Sequence, residues 1–578
     1  MAGLPLLNFA PWSGWFAFDE LDLLVLGAIV GAYARLAIRP PDIRFAVFAP
    51  WPRLMGAAAA LFVAASAISL WRGVTDAGGF AFGGFQSYLD PMNSVRLFKP
   101  LLFALLLAPL IGAELATSRA RLMRRVGAGM WTGLTVVTIA VLWERIAYPG
   151  LTDFSKPYRA VGLFWEMHVG GAAIDAYLAM AAPFAAWALW SARSPLRWSI
   201  AAGLALLTAY ACLTTFSRGV YVAVVLPLLL LGVAAKGWTF SIPWRRRAGR
   251  VLVALLLFEV FAVIWTGSFL FERMANSERD LSGRIAHWGH GLQLLHDPAD
   301  LAFGIGLGRL PSHFTRFIAG YEFSGAVQHS PATETGHSVS LAGPASRSHL
   351  RGQYWLTQRV ALRQGAQYRV EFDYRVTGMT GLIMRVCELH LLYERGCQFG
   401  AVAVKPGQTP WQHQSLQLVG PALDSGRWFA PRMAVFEMTV LETAVQADIT
   451  NLELKAGAGE NLLRNGDFSY GMSHWFPSAQ SHFLPWHIDN LYLEILVERG
   501  PLALLSFLVV AGWALRRTAT SAVDGLDVAP FVAASLAGAL LVGALSSVLD
   551  ASRTAFLLFF LLALALMLRQ PRGDGSRG

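Results

Sequence analysis

Long apolar windows recur along this sequence, and they limit its fold more than any other feature. Hydrophobic residues make up 55% of the chain and charged residues only 15%, which is too apolar for an ordinary soluble domain. Stretches of roughly 17 to 25 apolar residues suit helices that cross about 30 Å of hydrocarbon. We therefore predict a polytopic α-helical membrane protein of about eleven spans. The spans are expected near 21–38, 54–71, 97–115, 127–143, 169–190, 199–216, 219–235, 251–268, 491–515, 529–548 and 553–568.

Positively charged residues mark one side of this arrangement. Lys and Arg cluster after the first, third, fifth, seventh, ninth and last apolar windows. Because short cytoplasmic loops retain positive charge, these connections are expected in the cytoplasm and the N-terminus outside it. The formal net charge of +10 is then mainly a topology signal, and no nucleic-acid partner is expected.

The same topology places residues 269 to about 490 in one long external loop, which needs a fold of its own. Between about 336 and 456, short alternating stretches such as "YRVEFDYRV" and "LIMRVCELHLLY" are separated by turn-forming "RQGA", "KPGQTP" and "DSGR". This pattern predicts an antiparallel β-sandwich. We expect four parts: apolar spans in 1–268, short helices in 269–335, the β-sandwich insert in 336–480 and further spans in 481–578.

The insert also resembles a known type of module. Its alternating stretches, together with "ENLLRNGDFSYGMSHW" at 460–475, resemble jelly-roll modules of the carbohydrate-binding type. The resemblance implies that the insert binds glycan beside the membrane. Its candidates for stacking on sugar rings are Trp355, Trp411, Trp428 and Trp475, although aromatic residues of a sandwich also form its core.

The chain has three cysteines. Cys212 lies in an apolar window and is expected to be a small packing residue. Cys387 and Cys397 flank a hairpin-like segment of the insert, and outside the cytoplasm this spacing predicts a disulfide. Two cysteines alone do not make a usual zinc site, and no metal is expected.

Ionisable residues near the outer ends of the spans are the candidates for chemistry, because charge near hydrocarbon is expensive and usually functional. Alternatively, an arginine there anchors its helix at the headgroups, and carboxylates or amides cap helix ends. The candidate residues are Arg96, Lys99, Arg159, Glu166, His168, Ser217, Arg218, Arg284, His487, Asp489 and Asn490.

Three short motifs and their order resemble a family. "TFSRG" between two spans, "DLSGRIAHW" after the next span, and "DNLYLEILVERG" re-entering the membrane after a large external loop are similar to the O-antigen ligase and O-antigen polymerase superfamily. The resemblance implies a metal-independent and cofactor-free membrane glycosyltransferase with a GT-C-like fold, at the periplasmic face of a bacterial inner membrane. Its substrate would be a glycan on undecaprenyl diphosphate, and a chain-length regulator or a flippase is a possible partner.

Within this resemblance, guanidinium groups suit the lipid diphosphate, because they bind phosphate oxygens in bidentate geometry and stay charged. Arg218 and Arg284 are expected to form this clamp, with Arg159 as a third and Arg96 or Lys99 as further contributors. Glu166, His168, Ser217 and Asn490 are expected to contact substrate.

The acceptor hydroxyl needs a general base or a hydrogen-bond acceptor. Family ligases have a histidine directly before the asparagine of the last motif, whereas this chain has Asp489 there and His487 two residues earlier. Either Asp489 acts as the base, or His487 does so while Asp489 orients its ring; alternatively, Asp489 and Asn490 only cap the helix.

This departure favours a repeat-unit polymerase or a related exopolysaccharide transferase over a ligase that modifies lipid A core. A non-enzymatic exporter of lipid-linked sugar, or a sugar-sensing receptor, is the alternative. An exporter is expected to have repeat-related halves, and none is obvious in the sequence.

Overall fold

The computed structural model describes most of the chain. The described residues are 1–15, 17–38, 52–80, 88–165, 172–234, 243–275, 277–318, 326–333, 336–343, 354–407, 411–442, 445–457, 459–478, 486–520 and 528–568.

The structure is 58% helical. A short 3-10 helix, Leu4–Leu6, precedes sixteen α-helices in the described residues. These are α1 (Ala10–Ser13), α2 (Glu20–Ile38), α3 (Arg53–Asp76), α4 (Met92–Ala147), α5 (Ala172–Ala181), α6 (Pro183–Ser191), α7 (Pro195–Thr214), α8 (Arg218–Ala234), α9 (Pro243–Thr266), α10 (Ser268–Ala275), α11 (Ser277–Gln293), α12 (Pro298–Phe303), α13 (Leu310–Phe317), α14 (Leu491–Thr520), α15 (Ala529–Gly543) and α16 (Ser552–Met567).

Seven helical segments among the described residues are long and apolar enough to cross a membrane. They are α2, α3, α4, α5 continued by α6, α7, α9 and α14, while α8, α15 and α16 are shorter apolar helices. Within the described residues, each predicted apolar window overlaps one of these helices. Helix α4 carries two windows and departs from helical geometry between them, at Ser118 (φ −162°, ψ 90°).

The apolar helices differ in what surrounds them. Helices α15 and α16 bury most of their side chains in the centre of the bundle. In contrast, only 11% of the apolar window of α9 is buried, and Phe258 and Trp265 are largely exposed there. A contiguous apolar surface of this kind needs an apolar environment.

A strand-rich region lies between the helices of the two ends. Its strands are β1 (Ala326–Thr333), β2 (Gly336–Ala342), β3 (Trp355–Val360), β4 (Tyr368–Val376), β5 (Thr380–His390), β6 (Tyr393–Val404), β7 (Gln412–Gln417), β8 (Gly426–Arg427), β9 (Ala430–Pro431), β10 (Met433–Val440), β11 (Gln446–Ala456) and β12 (Phe476–Ser478). The first strand begins ten residues before the predicted start of the insert at 336.

These strands form two five-stranded sheets with the orders β1-β2-β11-β4-β7 and β12-β3-β10-β5-β6. All described pairs are antiparallel. Alternate residues of β4, from Tyr368 to Val376, face a core that the two sheets share, as expected for a pleated strand with one buried face. The arrangement is a β-sandwich.

The predicted disulfide is confirmed. Cys387 on β5 and Cys397 on β6 are joined by a bond of 2.06 Å across the hairpin. Cys212 is a buried free thiol on α7.

Two of the four tryptophans proposed for sugar stacking are instead buried. Trp475 is fully buried and packs against Phe468 and Phe436, and Trp355 is only 4% exposed. Their prediction was wrong, because the sandwich uses these large side chains to fill its core. Trp411 is half-buried beside Arg375, whereas Trp428 is exposed.

The sandwich contacts the ends of the helical bundle at several places. The turn between β5 and β6 packs Leu391 and Leu392 against Val161. Next to it, the Tyr393 hydroxyl accepts a hydrogen bond from the Arg159 backbone N–H and donates one to the Arg159 carbonyl, both at 3.0 Å. The insert is therefore held beside one of the predicted site residues.

Candidate functional site

The turn before α8 presents Ser217 and Arg218 at one end of the helical bundle. Phe216 has a left-handed backbone (φ 49°) and is buried against Phe269 of α10, with ring centroids 5.0 Å apart. The Thr215 hydroxyl accepts a hydrogen bond from the Ser217 N–H. A left-handed phenylalanine is unusual, and its buried ring holds the tight turn from which Arg218 projects.

Four arginines converge at this end of the bundle, and we call them the arginine cluster: Arg159, Arg218, Arg273 and Arg284. Arg218 and Arg273 share Asp280, at 3.0 and 3.6 Å. Arg273 also interacts electrostatically with the other three arginines, and burial followed by Arg159 lowers the pKa of Arg273. The sequence predicted three of these residues and missed Arg273.

Three carboxylates accompany the cluster. Asp280 lies on α11, Asp175 lies 3.4 Å from Arg159, and Asp489 lies 3.8 Å from Arg284. Asp175 also bonds the Ser217 side chain. Because four guanidinium groups face three carboxylates, the group is net positive. The four side chains of the arginine cluster are each between a quarter and two fifths exposed. An anion can therefore reach them.

The residues before α14 form a second part of the site. His487 Nδ1 lies 3.1 Å from Asp489 Oδ1, and the Asp489 backbone is left-handed (φ 54°). The His287 Nε2 atom, on α11, lies 2.9 Å from the backbone carbonyl oxygen of His487. Asp489 therefore pairs with both His487 and Arg284 through different oxygen atoms.

Asn490, and not Asp489, caps α14. The Asn490 Oδ1 atom accepts hydrogen bonds at 3.0 Å from the N–H groups of Tyr492 and Leu493. Asn490 Nδ2 donates to the Ala544 carbonyl at 2.9 Å. The capping alternative thus describes Asn490, while the side chain of Asp489 is directed to the charged groups.

The pKa values of His487 and Asp489 are shifted in opposite directions. Burial lowers the pKa of His487, but Asp489, Asp550 and Glu494 more than offset it and raise this pKa to about 9. Burial raises the pKa of Asp489, but His487, followed by Arg284, lowers it to about 2. At neutral pH the pair is therefore an imidazolium with a carboxylate.

His487 also borders a small cavity that is not lined by any residue of the arginine cluster. The cavity is lined by Asn93, Trp486, His487, Glu494, Glu498 and Asp550. The Arg96 Nη2 atom lies 2.7 Å from Asp550 Oδ1, and Ser547 donates a hydrogen bond of 2.5 Å to Glu494. Arg96 therefore pairs with one of a group of carboxylates beside His487. His487 connects this group to the arginine cluster through Asp489.

Of the remaining predicted residues, Lys99 lies in a different ion-pair group. The Lys99 amine is 2.8 Å from Asp22, 3.4 Å from Asp19 and 2.8 Å from the Ala17 carbonyl, which ties the start of α2 to α4. Glu166 and His168 lie outside the described residues.

A glycine-rich loop at 304–308 fixes the helix that follows His487 and Asp489. Gly304, Gly306 and Gly308 all have positive φ, and the Gly308 N–H donates to Glu498 Oε1 at 3.0 Å. A Cβ atom on Gly304 would lie only 2.3 Å from the backbone of Glu498. These glycines permit close backbone packing on α14, as turn glycines do.

Three residues missed by sequence reasoning, Asp280, His287 and Asp175, carried detectable signals. Asp280, Arg284 and His287 are spaced i, i+4 and i+7, which places all three on one face of α11. Asp175 is a carboxylate inside an apolar segment, a position that itself suggests function. Arg273 had no such signal, because its partners lie on other elements.

One group of three potential metal ligands occurs among the described residues, formed by Cys387, Glu394 and Cys397. The two sulfur atoms are bonded to each other, so they do not act as thiolate ligands. The charged groups around His487 are arginine–carboxylate pairs instead.

The chain was compared with protein-family models, with curated proteins and with solved structures, and none of them matches it.

Proposed function

We propose that this protein is a membrane glycosyltransferase of the O-antigen ligase and polymerase type, which uses an undecaprenyl-diphosphate-linked oligosaccharide at the periplasmic face of a bacterial inner membrane. The observation that carries the proposal is the convergence of the arginine cluster on the His487–Asp489 pair. These groups lie at the end of an apolar helical bundle, where a lipid-linked anion would meet them.

The chemistry of the cluster fits a lipid diphosphate. Guanidinium groups stay charged and offer paired N–H donors to phosphate oxygens. Arg218, Arg273 and Arg284 are partly exposed, and Asp280 and Asp489 pair with them. A bound diphosphate would replace part of this carboxylate pairing without leaving any guanidinium buried and uncompensated.

The reaction requires one bond to form and one to break. The acceptor hydroxyl oxygen attacks the anomeric carbon of the donor sugar, and the bond from that carbon to the diphosphate oxygen breaks. Undecaprenyl diphosphate leaves with the bonding electron pair, and the arginine cluster stabilises its negative charge. The hydroxyl proton passes to a base of the protein.

The geometry favours His487 as that base over Asp489. Asp489 is the weaker base, because its pKa is lowered to about 2 and its Oδ1 atom lies 3.1 Å from His487 Nδ1. The pairing through Nδ1 turns the Nε2 atom of His487 away from Asp489. Asp489 then orients the ring and stabilises its charged form, as carboxylates do for catalytic imidazoles.

Among the possible acceptors we favour a second lipid-linked repeat unit or a growing exopolysaccharide, because the residue before Asn490 is Asp489 and not the histidine of family ligases. Transfer to lipid A core is the second candidate, and non-enzymatic export of the lipid-linked sugar is the third.

The experiment uses the full chain in lipid nanodiscs with a fluorescent undecaprenyl-diphosphate oligosaccharide and, separately, with lipid A core added. Gel analysis compares wild type, Arg218→Ala and the control Arg363→Ala, whose exposed side chain lies on the sandwich. We expect a ladder of products from wild type and the control but not from Arg218→Ala. A single product that requires lipid A core would identify a ligase, and no product with either acceptor would contradict the proposal.

A further inference from the structure

A small hairpin of the sandwich carries the most exposed large apolar side chain among the described residues. Strands β8 and β9 are joined by Trp428 and Phe429, which we call the 428–429 tip. Trp428 is 93% exposed and Phe429 is 38% exposed. Two neighbouring aromatic side chains at the tip of a hairpin are costly in water unless they contact something apolar.

The position of this tip is fixed by the end of a candidate membrane helix. The Trp143 indole Nε1–H donates to the Phe429 carbonyl at 2.8 Å, and the Tyr148 hydroxyl donates to the Pro431 carbonyl at 2.7 Å. Trp143 lies in the last turns of α4, and Tyr148 directly follows that helix. The tip therefore sits at the level where α4 ends.

The tip also lies on the side of α4 that faces outward from the bundle. Ile139 and Ile146 are 53% and 57% exposed, and Trp143 lies between them on the same helix face. Exposed isoleucines two turns apart on one face of an apolar helix mark the surface that would contact lipid. The hairpin bonds to that same surface through Trp143.

We infer that the 428–429 tip is a membrane contact, with Trp428 and Phe429 inserted at the boundary between headgroups and acyl chains of the outer leaflet. Tryptophan is favoured at this boundary because its indole combines a large apolar surface with one hydrogen-bond donor. Arg427 lies 5.9 Å from the Phe429 ring centroid and supplies a cation beside the tip for lipid phosphate. This inference rests on the proposed function only in placing α4 in the membrane. It does not depend on the proposed glycosyl transfer.

The contact would hold the insert at a fixed height above the bilayer. The same sandwich reaches Arg159 through Tyr393, so a tip anchored in lipid would fix this edge of the site relative to the headgroups. A lipid-linked substrate would then enter at constant depth.

The test measures the depth of a fluorescent probe. In a Cys212→Ser background, position 428 is changed to cysteine (Trp428→Cys), labelled with an environment-sensitive nitrobenzoxadiazole probe, and placed in phosphatidylcholine–phosphatidylglycerol nanodiscs with lipids spin-labelled near the headgroup. The control Met379→Cys is 72% exposed at the far end of β5, about 30 Å along the strand from the end near α4. A second control, Phe258→Cys on α9, reports whether the helices are in lipid.

We expect loss of fluorescence at 428 and at 258, and none at 379. Quenching at 258 without quenching at 428 would overturn the membrane contact while leaving the membrane placement intact. No quenching at either position would overturn both. Trp428→Cys removes the tryptophan itself, so a second probe position, Ser425→Cys, retains Trp428. Quenching of the probe at position 425 should fall when Trp428→Glu is added. Unchanged quenching would contradict the inference.

Discussion

The His487–Asp489 pair gives the sharpest prediction, because its charge state sets the pH at which the proposed base can act. With a pKa of about 9, only about 1% of His487 is neutral at pH 7, and about half is neutral at pH 9. If the neutral imidazole takes the acceptor proton, the turnover rate should rise about tenfold per pH unit above pH 7. The total rise to the plateau should be roughly 100-fold, about half of which is reached at pH 9.

Asp489→Asn tests the origin of this profile. Burial lowers the pKa of His487, and Asp489 is the strongest of the carboxylates that raise it. Its removal should move the midpoint of the pH profile to lower pH. The plateau should fall on the order of 100-fold, because the ring loses its orienting partner. Asp280→Asn removes another carboxylate of the site but does not contact His487, so its midpoint should stay at the wild-type position.

The same pair should contribute to folding stability over a defined pH window. The raised pKa of His487 means that its contribution is complete below its ordinary pKa of 6.5 and is lost as pH rises through about 9. The lowered pKa of Asp489 means that its contribution is complete above 3.8 and is lost as pH falls through about 2. The raised pKa of His487 corresponds to at most roughly 3 kcal/mol.

Rates would be measured in nanodiscs between pH 6 and pH 10, and thermal unfolding at pH 6 and pH 9.5. Wild type should lose more stability than Asp489→Asn between these two pH values. A wild-type rate that is flat from pH 7 to pH 9 would refute His487 as the base. Equal midpoints for wild type and Asp489→Asn would refute the role of Asp489.

Three further predictions concern neighbouring residues. Arg273→Ala should reduce transfer by at least tenfold while Arg316→Ala, which removes an exposed arginine paired with Asp76, should not; equal rates would exclude Arg273 from substrate binding. Tyr393→Phe leaves the N–H and carbonyl of Arg159 without their partner, so it should cost about 1–3 kcal/mol of stability and raise the KM for donor; an unchanged unfolding temperature would contradict the contact. Asn490→Ala should cost about 1 kcal/mol through lost capping, and Asn490→Asp should restore the cap but not the hydrogen bond to the Ala544 carbonyl, so thermal unfolding should place it between Asn490→Ala and wild type; equal stability of the two variants would contradict the cap.

Much of the fold could be predicted because it follows from local pattern. The apolar windows are long enough to be recognised individually, and in the described residues each of them overlaps a helix. Strand β4 alternates buried and exposed residues as its sequence does, and Cys387 pairs with Cys397 directly across a hairpin. These features depend on residues that are near each other in the chain.

The remaining features depend on contacts between distant segments. Whether Trp355 or Trp428 is exposed depends on which strands face each other, and sequence alternation does not settle that for aromatic residues. The bond between Tyr393 and Arg159 joins residues 234 positions apart. A deletion of the alternating stretches at 336–456 alone would remove β2 and β3 but leave their partners β1 and β12, so the unit to delete is 326–478.

The candidate site was predictable where motifs were short and charged. Arg218, Arg284, His487 and Asp489 were predicted from three separate motifs, and the structure brings them into one region. The sequence did not predict that Asn490 caps α14 while Asp489 pairs with His487 and Arg284, because this difference depends on the left-handed backbone of Asp489. Local capping preference allows either residue.

The most direct test of the account follows the bond that it says is broken. Wild type and Arg218→Ala in nanodiscs would be given the undecaprenyl-diphosphate oligosaccharide and acceptor, and mass spectrometry would quantify free undecaprenyl diphosphate and the newly formed glycosidic bond. We expect wild type to release one undecaprenyl diphosphate for each bond formed and Arg218→Ala to release almost none. Intact donor after prolonged incubation with folded wild-type protein, or its transfer across a bilayer without bond formation, would contradict it.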